Sequence, residues 1–211
     1  MTDLPTHAEI HEEGPREGFQ IEPGPISTAD KIKFIEALAE TGLEHIQACS
    51  LVNPRLVPGW ADAEAVLNGF RPRPGVEYTA LWFNANGLER ALAFRGKLTL
   101  HGAIALTASE AFTRKNLNRS HAENVEAMRK QTSLHLSKGV PVDRIGVMAA
   151  FGCNYQGDIS PTQVIRTLED GLAIAAEAGT NITLFSLADH GLGDARAHRA
   201  RAWRGALALA R

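Results

Sequence analysis

The sequence predicts an α/β fold of the (β/α)8 TIM barrel type, of which its 211 residues hold about the first six strands and five helices. Three observations predict it. Strand-like apolar runs alternate with helical ones without a break, which means right-handed βαβ units and a parallel sheet. Helical segments open on Ser or Thr and stop at Gly. An open doubly wound sheet calls for a glycine-rich turn that leads from the first strand directly into a helix. Here the first strand is followed by "GPREGFQIEPGPIS", long and proline-rich, with no G-x-G-x-x-G. The barrel is therefore favoured, although a complete one has eight strands over ~250 residues.

The elements follow in order. "AEIHEE" (8–13) is the first strand. "STADKIKFIEALAETG" (27–42) is a helix: Ser27 or Thr28 caps it, Ile32, Ile35, Ala39 and Leu43 form its stripe, and Gly42 stops it. "EHIQACS" (44–50) is the second strand and "ADAEAVLNG" (61–69) a short helix. "VEYTALWF" (76–83) is the third strand and "NGLERALAFR" (86–95) the next helix. "LTLHGAIALT" (98–107) contains the fourth strand. "SHAENVEAMRKQTSLHLSKG" (120–139) is a long helix, and "RIGVMAAF" (144–151) the fifth strand. "SPTQVIRTLEDGLAIAAEAG" (160–179) is a helix with Ser160 at its cap and Pro161 in its first turn. "NITLFSLAD" (181–189) is the sixth strand.

Composition narrows the function. A net charge of −2 gives no polyelectrolyte pull toward nucleic acid or anionic lipid. No apolar run approaches the ~20 residues that span a bilayer. The polar, acidic first residues do not read as a signal peptide. Cys49 and Cys153 form neither a disulfide framework nor a zinc spacing, which fits a reducing cytoplasm.

In a barrel, chemistry sits on loops at the C-terminal ends of strands. Arg16, Glu17 and Gln20 follow the first strand, Ser50, Asn53 and Arg55 the second, and Asn84 and Asn86 the third. "TASEAFTRKNLNRS" follows the fourth, with Ser109, Glu110, Arg114, Lys115, Asn116 and Asn118. "GCNYQGD" follows the fifth, and Ser186 and Asp189 lie on the sixth. Each has a bland reading. Arg16 and Glu17 can be a solvated turn pair, "RKNLNRS" a polar loop, Cys153 a small packed side chain, and His45 and His101 structural or surface residues. Basic residues beside asparagines also suit phosphates or carboxylates.

Together these stretches are more specific. "EEGPREGFQIE" resembles the "E-V-G-P-R-D-G-L-Q-N-E" signature of 3-hydroxy-3-methylglutaryl-CoA lyases, metal-dependent barrel enzymes in one superfamily with the acyl-CoA condensing enzymes. The likeness continues through residues 27–66, "ASEAFTRKNLNRSHAE", "FGCNYQGDISP" and "LFSLAD", and covers 8–189 nearly without gaps. It implies cleavage of a 3-hydroxyacyl-CoA to acetyl-CoA and a 3-oxo acid, in catabolism of the leucine and ketone-body type. It also implies a divalent metal, Mg or Mn, and an acyl-CoA partner, and leaves room for a homodimer of the intact enzyme. Arg16 takes the role of the catalytic arginine and Glu17 that of a metal ligand. Gln20, Arg114, Asn116, Ser186 and Asp189 take substrate-binding roles, with Arg114, Lys115 and Asn116 in a loop at the active-site mouth.

Two departures bear on the substrate: Glu17 stands where the signature has aspartate, and Gln47 where the family has glutamate on the second strand. A third concerns the end of the chain. The resemblance implies two histidine ligands from an "H-x-H-D-T" strand, a later asparagine ligand and a late catalytic cysteine. After "SLAD", however, this sequence reads "HGLGDARAHRARAWRGALALAR". A shifted reading frame just after the Asp189 codon lets permitted codons spell "T-T-G-L-A-T-P-A-H-I-E-R-V", the family's continuation. The expectation is thus a partial barrel domain over 1–189 and an out-of-frame Ala/Arg-rich tail over 190–211, in a chain without lyase activity of its own. The alternatives are a condensing enzyme of the isopropylmalate or homocitrate synthase type, whose usual opening "D-T-T-L-R-D-G" lacks the Gly-Pro seen here, and a non-catalytic barrel fragment that binds a partner.

Overall fold

The computed structural model describes residues 6–189, so the expected tail over 190–211 lies outside the described residues. The chain divides into two units, Met1–Leu100 and His101–Arg211. In the first, β1 (His11–Glu12), β2 (His45–Ser50) and β3 (Glu77–Leu81) form a parallel sheet in the order β1-β2-β3. In the second, β4 (Gly102–Thr107), β5 (Val142–Met148) and β6 (Leu184–Leu187) form another in the order β4-β5-β6. Each pairing between these six strands is parallel, as the alternation requires.

The helices obey their caps. α2 (Thr28–Ala39) begins where Ser27 accepts a hydrogen bond from the Asp30 amide. α3 (Ala63–Gly69) and α4 (Ala85–Leu92) follow, the latter capped by Asn84. α6 (His121–Ser137) and α7 (Pro161–Ala178) both open on capping boxes, Ser120 with Glu123 and Ser160 with Gln163, which satisfy two end amides each. Gly179 closes α7 at φ 65°, the left-handed turn that glycine adopts at least cost.

Each unit has its own apolar interior. Ile35, Ile46, Trp60, Leu67, Phe70 and Tyr78 are buried in the first. Ile104, Leu106, Ile145, Val147, Leu168 and Ile174 are buried in the second. Each such side chain contributes roughly 1.5–3 kcal/mol.

Two segments differ from expectation. The first strand is shorter than the 8–13 expected, and the turn after it is wound: Gly14–Gly18 makes a π-helical turn that runs into a single helical turn, α1 (Phe19–Ile21). "EAFTRKNL" is a helix, α5 (Glu110–Leu117), so Arg114, Lys115 and Asn116 lie on a helix and not in a loop. Ser109 caps α5 by accepting from the Phe112 amide, and Asn118 ends it at φ 52°. Glu110 at its start and Arg114 and Lys115 at its end complement the helix dipole.

Candidate active site

The π-helical turn aims Arg16. Pro15 is buried beneath it, and Phe19, just after it, packs against Phe34 and Trp60 with ring centroids 5.3 and 6.0 Å away. Trp60 is fully buried, and its indole N–H donates to the Arg16 carbonyl at 3.0 Å. Beneath that, Lys31 sits 4.8 Å over the Trp60 ring and donates to Asp62 Oδ1 at 2.6 Å and to the Gly59 carbonyl at 2.5 Å. Burial pushes the Asp62 carboxyl up. The hydrogen bonds from Lys31 and Thr28 and the Lys31 charge outweigh it and hold the group below its ordinary value.

So anchored, the Arg16 side chain is only 14% exposed. Its Nε donates to Gln47 Oε1 at 2.5 Å, and its two terminal nitrogens donate to Glu17 and Glu13. Arginine has five N–H donors; these contacts engage three and leave two. The guanidinium thus stands at the C-terminal end of β1, held on three sides. Glu13 occupies the valine position of the signature, so a carboxylate missing at Gln47 is present at Glu13. Ser50, at the end of β2, is fully buried, and its hydroxyl has no hydrogen-bond partner among the described residues. Gln20 lies exposed on α1.

The remaining sequence candidates belong to the second unit. Arg114 and Asn116 are exposed on α5, and Arg114 pairs with Glu110 at 2.7 Å. Ser186 is exposed on β6 opposite Gly146, and Asp189 is exposed just past that strand. Cys153 is the less anticipated feature. A tight turn bonds Cys153 and Gly157 reciprocally and sets Gln156 beside the α5 cap. Ser109 Oγ then lies 3.0 Å from both Cys153 Sγ and Gln156 Oε1, one proton between two acceptors. Burial raises the Cys153 thiol. The hydrogen bonds from Ser109 and from the backbone at Tyr155 and Gln156 more than offset it, leaving the thiol below its ordinary value although the Asp189 charge opposes them. By contrast, burial first and the nearby Glu64 and Asp62 carboxylates next push Cys49 far up.

A second group of chemistry-bearing residues went unmarked in the sequence. Glu9, His11 and His45 bring one ligand atom each within 4.8 Å of one another. His11 pairs with His45 across β1 and β2, at the starts of those strands rather than at their C-terminal ends. Parallel register alone makes them neighbours, so only a strand alignment could have found them.

No protein-family model matches the chain. A hydroxymethylglutaryl-CoA lyase of Bacillus subtilis is 39% identical over 165 residues, 78% of this chain and 54% of that protein. The crystal structure of the HMG-CoA lyase from Brucella melitensis superposes with a TM-score of 0.78 at 31% identity, covering 95% of this chain and 69% of that one. An HMG-CoA lyase from Acinetobacter baumannii, solved in complex with coenzyme A and 3-methylmalate, does so with a TM-score of 0.77 at 27% identity, covering 95% and 62%. The chain spans about half the length of the curated relatives it matches. Its parallel sheets, the signature around Arg16 and these likenesses establish that the chain belongs to the hydroxymethylglutaryl-CoA lyase family.

Proposed function

We propose that the chain is part of a metal-dependent carbon–carbon lyase that cleaves a 3-hydroxyacyl-CoA to acetyl-CoA and a 3-oxo acid, in a reducing, cytoplasmic setting. The observation that carries this reading is Arg16, fixed by Gln47, Glu13 and Glu17 at the C-terminal end of β1 with donors to spare. Cleavage removes the proton of the 3-hydroxyl and leaves the electron pair of the breaking bond in an acyl-CoA enolate. A preorganised guanidinium stabilises that charge without reorganising as it develops.

The Glu17 carboxylate is half-exposed at the same end. Its hard oxygens fit Mg²⁺ or Mn²⁺ as one ligand of several. Such a cation, when bound, acidifies the substrate hydroxyl. Arg16 donates a hydrogen bond to Glu17 and so fixes where its carboxylate points, and the unpartnered Ser50 hydroxyl offers a further polar contact. Gln20, Arg114, Asn116, Ser186 and Asp189 take the substrate-binding roles implied by the signature. The complex of the Acinetobacter relative supports an acyl-CoA substrate.

The sequence contains no H-x-H pair, so the 211-residue chain by itself is expected to give no turnover. The experiment is to read the coding DNA beyond the Asp189 codon and assay the protein it encodes. The readout is acetoacetate release from 3-hydroxy-3-methylglutaryl-CoA with Mg²⁺ or Mn²⁺. Turnover that falls 10²-fold or more in Arg16→Ala, the scale of removing one oxyanion-stabilising donor, supports the reading. Turnover indifferent to Arg16→Ala sinks it.

A further inference from the structure

We infer that Glu9, His11 and His45 form a second metal site, for a borderline transition ion such as Zn²⁺, Co²⁺ or Ni²⁺. The site is distinct from the one in which Glu17 takes part.

The two imidazoles stack with centroids 4.2 Å apart and planes 14° apart. Nε2 of each faces the same Glu9 oxygen, His11 at 3.8 Å and His45 in direct contact. Two nitrogens and one carboxylate oxygen are the donor set of three-ligand zinc sites that keep an open position. Around such an ion the donors stand about 3.3 Å apart, so ligand atoms already within 4.8 Å need only small rotamer changes to close. Glu9 and His11 are about half-exposed, which leaves a path for the ion and a place for water.

A second observation concerns the other nitrogen of His45. Its Nδ1 is buried and unbonded, and lies 3.5 Å from Glu77 Oε2. Glu77 begins β3 and pairs with His45 in register. With an ion on Nε2, that carboxylate stands where it can take the Nδ1 proton. That is the carboxylate–histidine–metal arrangement that raises ligand basicity.

His45 and Gln47 share a face of β2, two residues or about 7 Å apart along the strand. The histidine pair therefore lies one layer away from Arg16. Two imidazoles in a set of three bind a later first-row ion more tightly than Mg²⁺, which makes excess Mg²⁺ the competitor in the test.

The test uses the whole 211-residue chain and Co²⁺ as the probe. One equivalent is expected to give visible d–d absorption that excess Mg²⁺ does not displace. His11→Ala and His45→Ala should abolish the signal, and Glu77→Gln should weaken binding about 10-fold. Glu17→Gln should leave the signal unchanged. Far-UV circular dichroism of each variant separates loss of a ligand from loss of fold. Absence of stoichiometric Co²⁺, displacement by Mg²⁺, or a spectrum unaltered in both folded histidine variants would overturn the inference.

Discussion

At Arg16 the sequence relocates a charge. Its partner on β2 is the neutral Gln47, and the carboxylates come instead from Glu13 and Glu17, one on each side along the chain. The guanidinium remains balanced, but the negative charge moves from the sheet to the wound turn. The thiols show the same dependence on position. Cys153 is held low by donated hydrogen bonds while Cys49 is driven up by burial. Thiolate is the reactive form, so alkylation of the native protein near neutral pH should modify Cys153 and spare Cys49, as peptide mass spectrometry would show. Ser109→Ala should slow that modification several-fold. Equal labelling of both cysteines before unfolding would contradict the assignment.

Elements show where local sequence decides and where packing does. Lys31 on α2 is 4% exposed and satisfied by Asp62 and Gly59. Lys31→Ala strands the Asp62 charge and should cost roughly 3 kcal/mol in urea unfolding. Gly171 lets α7 approach β5: a Cβ there would lie 2.9 Å from Cγ2 of the fully buried Ile145. Gly171→Ala gains up to ~1 kcal/mol of helix propensity but crowds a filled interior at about 1–3 kcal/mol. A net loss near 1 kcal/mol is expected in the same measurement. The long helices were legible because Ser27, Ser120 and Ser160 and the glycines after them speak locally. α5 was not, because Phe112 and Leu117 are too few to make a stripe. Its signals were the cap at Ser109 and the charges along its turn. The turn that aims Arg16 was legible as chemistry but not as geometry, since Trp60 fixes it from 44 positions away. The His11–His45 pairing depends on strand register, which no local pattern encodes.

Across the whole molecule, acid should act in two steps. His135 is buried, and desolvation holds it below its ordinary value although its Nδ1–H donates to the Gln131 carbonyl at 2.7 Å. A depressed folded value means the unfolded chain binds the proton first. Stability is therefore full above the unfolded value of ~6.5 and declines as pH falls through the folded one. Asp62, also depressed, adds a second decline below the ordinary carboxylate range of about 4. Urea midpoints measured against pH should show both, and His135→Gln should flatten the upper one. A midpoint constant from pH 7 to pH 5 in the unsubstituted chain would count against the burial argument.

The all-parallel pairing carries one more consequence. Among the described residues, no two of the six paired strands can zip from a two-residue hairpin, because parallel neighbours need a crossover of a dozen residues or more. Each pairing must close a long loop before any contact rewards it. While helices such as α6 and α7 form in microseconds or less, the strand edges wait unpaired. Nascent chains of this protein are then sticky before they are folded, and their yield should depend on chaperone supply and dilution more than on native stability.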